Sequence, residues 1–285
     1  MSARQMPTAS LRELSSRLAE RDLAVLRSVS ELRFLTGSQL TRQCFMTSPD
    51  PTQNARAARR ALLRLTRLGV LVRLPRPVGG VRAGSAGFVY RLGVQGHRLA
   101  VLHGWQPEQR RRRSLAPGSL FLRHTLLIAE LHTRLIESER AQRFELLALS
   151  AEPFCWREMD GLGTQRLKPD SYVRLGIGSY EDSFFIEIDR GTEGSRTIAR
   201  QLGLYAAYYR SGVEQRQRGV FPCVLWLATT AERVGVIAAC VQRLPGAEQA
   251  LFRVERFEDA LAVMTGADSD SDDHNSLGSS ITPMI

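Results

Sequence analysis

Apolar residues fall at Leu14, Leu18, Leu23, Leu26, Val29 and Leu32, at gaps that set them on one helical face. The pattern predicts helix from Leu11 to Leu35, broken near Arg21-Asp22. Thr36-Gly37-Ser38 supplies turn and cap residues, so Ser38 to Phe45 reads as a short second helix. Ser48-Pro49-Asp50-Pro51 breaks the chain. A third helix follows from about Thr52 to Leu68, with Gly69 placed to end it. The period then shortens: Val70 to Leu74 and Phe88 to Leu92 read as two strands around a Gly- and Pro-rich loop, and Gln95 to His103 closes with a helix. Three helices, a strand, a loop and a returning strand is the winged-helix order.

The second half alternates differently. Leu120 to Ser138 predicts one long helix. Strands are expected at Phe144 to Leu149, Lys168 to Leu175, Ser183 to Asp189, Val220 to Ala228 and Phe252 to Val254, with helices at Thr197 to Tyr209, Ala231 to Arg243 and Phe257 to Met264. That is the order of an α/β layer. The expected fold is therefore two-domain α+β or α/β. Residues 1–104 form a winged helix-turn-helix, 105–118 a basic linker containing Arg110 to Arg113, 119–266 an α/β domain, and 267–285 a disordered acidic tail.

Charge sharpens the division. The chain of 285 residues has a formal net charge of +10. Residues 1–113 carry 21 Lys and Arg against 6 Asp and Glu, whereas the remainder carries 18 against 23. A basic front half fits a polyanion-binding module joined to one of different purpose. Cys44, Cys155, Cys223 and Cys240 form no C-x-x-C pair, which argues against a zinc ribbon or a disulfide framework. No two histidines stand one residue apart, so the histidine metal motif of common relaxases is missing. No apolar run reaches bilayer length and no signal-peptide pattern opens the chain, so a cytoplasmic protein without membrane contact is expected.

On the third helix Arg56, Arg60, Arg64 and Arg67 follow at steps of four, four and three, opposite Ala58, Ala61, Leu62, Leu65 and Leu68. A guanidinium stripe beside a buried stripe suits a helix laid in a major groove of double-stranded DNA, with Arg73, Arg76 and Arg82 of the wing on phosphates. The competing reading is a solvated charged face.

Carboxylates supply the other candidate chemistry. Asp170 follows Pro169 on one expected strand, and Glu187 and Asp189 end another, pointing to one side while Ile186 and Ile188 point to the core. Three carboxylates at strand ends would be neutralised by a hard cation, Mg²⁺ or Mn²⁺, which can activate water beside a phosphodiester. This arrangement resembles the PD-(D/E)XK nuclease superfamily, with Pro-Asp on one strand and Glu-x-Lys on the next. Gln201 to Tyr205 resembles the Q-x-x-x-Y element of its RecB-like branch. The resemblance implies catalytic roles for Asp170, Glu187, Asp189, Lys168 and Gln201, with metal on the three carboxylates. Asp189 occupies the position of the superfamily lysine, and Lys168, the sole lysine, is the first candidate to replace it; Arg190, Arg196 and Arg200 are others.

More narrowly, the chain resembles the replication-relaxation family of plasmids and mobile elements. The resemblance rests on Glu20 to Leu26, Ala57 to Leu65, Leu122-Arg123-His124, Lys168-Pro169-Asp170 and, most specifically, the string Glu187-Ile188-Asp189-Arg190-Gly191-Thr192-Glu193. It implies replication or conjugative DNA processing and adds His124, Glu130, Glu193 and Tyr205 as further site candidates. Tyr205 and Tyr209, one turn apart, are read as packing residues rather than nucleophiles. Two functions are thus expected in competition. One is metal-dependent nicking of DNA located by the winged helix. The other is a catalytically inactive replication or transcription regulator whose nuclease-like domain makes homodimer, replication-protein or conjugation-protein contacts.

Overall fold

The computed structural model describes residues 8–74, 88–106, 118–159 and 166–266. Arg76, Arg82, the run Arg110 to Arg113 and the acidic tail lie outside them. The chain divides into two compact units: Met1–Ala141 with Leu149–Trp156 and Lys168–Ser171, and Gln142–Ala148 with Arg157–Leu167 and Tyr172–Ile285.

The first unit opens with helices α1 (Thr8–Ser16) and α2 (Glu20–Leu32); the break falls at residues 17–19, ahead of the expected Arg21-Asp22, which lie in the first turn of α2. The amide of Ala19 donates to the Asp22 carboxylate at 3.0 Å, which starts α2. A two-residue strand β1 (Leu35–Thr36) leads into α3 (Gly37–Cys44). The Thr36 hydroxyl accepts from the Gln39 amide while the Gln39 side chain accepts from the Thr36 amide, a reciprocal cap. Helix α4 (Pro51–Arg67) starts on Asp50, whose carboxylate accepts from the Thr52 amide at 2.8 Å, with Pro51 in the first turn, where no intrahelical donor is needed. Gly69, at φ +68°, ends it.

Strands β2 (Leu71–Leu74) and β3 (Val89–Leu92) pair antiparallel, and β1 joins β3 from the other side, giving the order β1-β3-β2. Helix α5 (Val94–Leu102) packs close to this sheet. A Cβ on Gly96 would come within 2.1 Å of the Val70 carbonyl, so only glycine fits there. Val25, Leu26, Val29, Leu35, Leu40, Leu62, Leu65, Leu71 and Leu99 are buried, drawing α2, α3, α4, α5 and the strands into one core.

The long helix α6 (Ser119–Arg140) belongs to this first unit, although the sequence reading gave it to the second domain. Polar side chains supply the reason. Arg42 of α3 donates to Glu137 and Glu130, Gln39 donates to the Leu126 carbonyl, and Gln43 donates to the Thr133 hydroxyl. Arg140 donates to the carbonyls of Arg42 and Gln43, which lie at the end of α3. Hydrophobic periodicity cannot show such ties.

The second unit is built on a five-stranded sheet. Its elements are β4 (Glu145–Ala151), β7 (Ser171–Ile177), β8 (Tyr180–Asp189), α7 (Ser195–Ser211), α8 (Val213–Arg218), β9 (Cys223–Ala228), α9 (Ala231–Val241), α10 (Gly246–Gln249), β10 (Phe252–Arg256), a 3-10 turn (Phe257–Asp259) and α11 (Ala260–Thr265). A small ribbon of β5 (Arg157–Glu158) and β6 (Arg166–Leu167) stands beside it. The strand order is β10-β9-β8-β7-β4. Strands β7 and β8 are joined by the two-residue turn Gly178-Ser179, while β8, β9 and β10 run parallel, with Glu187 opposite Trp226 and Asp189 opposite Ala228. The last residues of β4, from Leu149, and the first of β7, Ser171, are counted with the first unit.

Strand β7 begins three residues later than the sequence suggests. Pro169 has no amide to give a ladder, and Lys168-Pro169-Asp170 forms the approach to the strand, with the Asp170 carbonyl accepting from the Glu152 amide at 3.0 Å. Strand β8 also departs from simple alternation: every residue from Phe184 to Asp189 is buried. Strands in parallel pairing are covered on both faces, so Glu187 and Asp189 are interior groups.

Candidate functional site

The basic face of α4 is the first candidate. Ala58, Leu62 and Leu65 are buried, and Arg56, Arg59, Arg60, Arg64 and Arg67 are exposed. The face is not uniform. Arg64 Nη2 donates to both Asp22 oxygens at 2.6 Å, and the Asp22 side chain is 3% exposed. Arg64 therefore answers a buried carboxylate of α2, and the stripe Arg56, Arg60, Arg64, Arg67 loses one member to internal structure. Leu68, expected in the core face, is exposed because α4 ends there. Arg73 on β2 is exposed, its guanidinium 3.9 Å from the centre of the Phe88 ring.

The carboxylates resolve into separate pairs. In the first unit the His124 ring Nε2 lies 2.9 Å from Asp170 Oδ1, and both side chains are partly buried. Lys168 is exposed, its ammonium 5.0 Å from the centre of the Trp156 ring. Glu130 meets Arg42 Nη1 at 2.6 Å, which gives it a task in joining α3 to α6. In the second unit Tyr205 Oη donates to Glu187 Oε1 at 2.6 Å. The Tyr205 ring is buried between Phe185 and Phe252, at 5.9 and 6.1 Å between centroids. Tyr205 is thus a packing residue with a polar tip. Gln201, one turn earlier, has its Oε1 buried and without a hydrogen-bond partner among the described residues.

Asp189, expected as a third metal ligand, is instead the buried half of an ion pair. Arg233 on α9 donates from Nε to Oδ1 at 2.7 Å and from Nη2 to Oδ2 at 2.8 Å. The Gly191 amide also donates to Asp189 Oδ1, and Arg233 Nη2 reaches the Glu193 carbonyl, both at 2.5 Å. Hydrogen bonding to Asp189 raises the Arg233 pKa above its ordinary value. Gly191 has φ +79°, a conformation that favours glycine. The string from Glu187 to Glu193 thus encodes a clamp: Asp189 holds its own turn and, through Arg233, the backbone entering α7. A cation at Asp189 would have to displace a bidentate guanidinium.

Among the described residues, no three His, Cys, Asp or Glu side chains are grouped to hold a metal ion. Because its oxygens are taken by Arg233, Asp189 does not fit the Mg²⁺ or Mn²⁺ ligand role. The sequence reading also missed Arg233, whose only local mark is a place in the first turn after the Thr230 cap.

A family model described as replication-relaxation matches residues 26–224, more than half of the chain. The chain belongs to the replication-relaxation family. The matched span of this replication-relaxation protein runs from α2 to β9. It includes the basic helix, the Asp170–His124 contact and the string from Glu187 to Glu193. No curated protein and no solved structure matches the chain. Among the described residues no helix is long and apolar enough to cross a membrane.

Proposed function

We propose that this replication-relaxation protein binds double-stranded DNA in plasmid or mobile-element replication or mobilisation, with its first unit acting as a winged helix and α4 as the groove-facing helix. The observation that carries the reading is the division of α4 into a buried Ala58, Leu62, Leu65 stripe and an arginine face left open to solvent. The order α2, β1, α3, α4, β2, β3 and the three-stranded β1-β3-β2 sheet support it. Arg56, Arg60 and Arg67, with Arg73 and the wing residues Arg76 and Arg82, would contact phosphates and guanine edges.

For the second unit the PD-(D/E)XK likeness supplies two readings. The one we favour is a nuclease-like body that does not cut and serves homodimer, replication-protein or conjugation-protein contacts; the Arg233 clamp on Asp189 supports it. Nicking of DNA is the second reading, favoured by the Glu187 carboxylate that Tyr205 orients. Fluorescence anisotropy with a labelled duplex tests the main reading. Binding should weaken steeply as salt rises, because phosphate contacts release counterions. Failure to bind any duplex at low salt would remove it. Supercoiled plasmid incubated with Mg²⁺ or Mn²⁺ separates the two readings of the second unit: nicking by the wild type, lost in Glu187→Gln, would establish cutting.

A further inference from the structure

The surface between the end of α3 and the first half of α4 is concave. A depression of about 550 Å3 there is lined by Thr47, Ser48, Gln53, Arg56, Arg59 and Arg60 among others, and by no carboxylate. Its frame is fixed. Asn54, itself buried, donates to the Ser48 carbonyl at 2.7 Å and accepts from the Ser48 amide at 3.1 Å. The Ser48 hydroxyl donates to the Gln53 side chain at 3.2 Å, and the Asp50 carboxylate is turned to the Thr52 amide.

Arg56, Arg59 and Arg60 are exposed, and among the described residues no ion pair or hydrogen bond neutralises any of them. Three guanidinium groups within little more than one helical turn repel one another unless an anion joins them. Arg64, one turn on from Arg60, is the contrasting case: it already has its carboxylate in Asp22.

We propose that this depression seats a backbone phosphodiester of duplex DNA, and that Arg59, which lies off the stripe read from helical spacing, is one of its contacts. The inference rests on the DNA-binding reading and deepens it by naming where the phosphate sits. A hollow receives a projecting, doubly oxygenated group, whereas base edges are flat and lie deep in a groove, where a convex helix reaches them. The guanidinium fork matches phosphate oxygens in pairs, and the Thr47 hydroxyl and the Gln53 amide nitrogen add neutral donors. Contact with the backbone at this place is independent of sequence.

The test is anisotropy titration of two duplexes of equal length and unrelated sequence across a potassium chloride series. Arg59→Ala should weaken binding to both by a similar factor, roughly tenfold, and reduce the slope of log K against log salt by about 0.9. Arg59→Lys should keep the slope. Arg64→Ala should keep the slope while lowering the melting temperature. Because Arg59 is exposed, its alanine variant should melt with the wild type, which separates lost contact from lost fold. An unchanged slope in Arg59→Ala, or a loss confined to one duplex, overturns the phosphate seat and leaves the DNA-binding reading standing. Wild-type protein that binds neither duplex overturns both.

Discussion

Arg233 grips both oxygens of Asp189 in two near-parallel bonds of 2.7 and 2.8 Å, and the Asp189 side chain is only 1% exposed. Removing the guanidinium leaves a buried carboxylate without its cation, which costs far more than the pair's net contribution. Arg233→Ala should destabilise the protein by about 3 kcal/mol, read as a lower urea midpoint. The double variant Arg233→Met, Asp189→Leu should recover most of that loss. Equal losses in the single and double variants would show that the pair is not coupled.

Tyr205 meets Glu187 at 2.6 Å inside the second unit. Tyr205→Phe keeps the ring between Phe185 and Phe252 and deletes only the hydroxyl. Chemical denaturation should show a loss of about 1–3 kcal/mol, the cost of removing a donor from a buried carboxylate. A loss near zero would mean that this bond contributes nothing.

Arg42 binds Glu137 and Glu130 together. Its hydrogen bond to Glu137 holds that carboxyl below its ordinary pKa. A carboxyl so depressed contributes stability above its unfolded pKa and loses it as pH falls through the folded one. Arg42→Ala should therefore lower stability by about 1 kcal/mol at neutral pH, since both partners are partly exposed and screened. The difference from wild type should shrink below the ordinary carboxylate range, checked by melts at neutral pH and near pH 3.

His132 is buried, and burial pushes its pKa down to about 3. The Ser171 hydroxyl donates to the Ser150 carbonyl at 2.8 Å, so it accepts from the neutral His132 ring, 2.5 Å away. A histidine with a depressed folded pKa is protonated first in the unfolded chain. Its stability contribution is complete above its ordinary pKa of 6.5 and falls, by at most about 1.4 kcal/mol per pH unit, between there and pH 3. His132→Gln should flatten the stability profile between pH 6 and 4. A profile as steep as the wild type's would remove His132 as the source.

The element order of both units could be read before any coordinates because its causes are local. Thr36 with Gln39, Asp50 with Pro51, and Gly69 are caps that act over three or four residues. The two-residue β1, the β5–β6 ribbon and the short helices α8 and α10 were missed, since they are shorter than any period that would announce them. The placement of α6 was also missed, because it depends on Arg42, Gln39 and Gln43 meeting groups 87 to 95 residues away.

The carboxylate positions divide in the same way. The sequence by itself determined that Glu187 and Asp189 share one side of a strand and that the string around them belongs to one family, because strand period and motif are properties of neighbouring residues. Tertiary structure alone decided that Asp189 answers Arg233, 44 residues on, that Arg64 answers Asp22, and that Arg59 stands with Arg56 and Arg60 over a hollow. A charge written in the chain gains its role from the group that desolvation and packing bring against it, and that partner is fixed only when distant segments fold together.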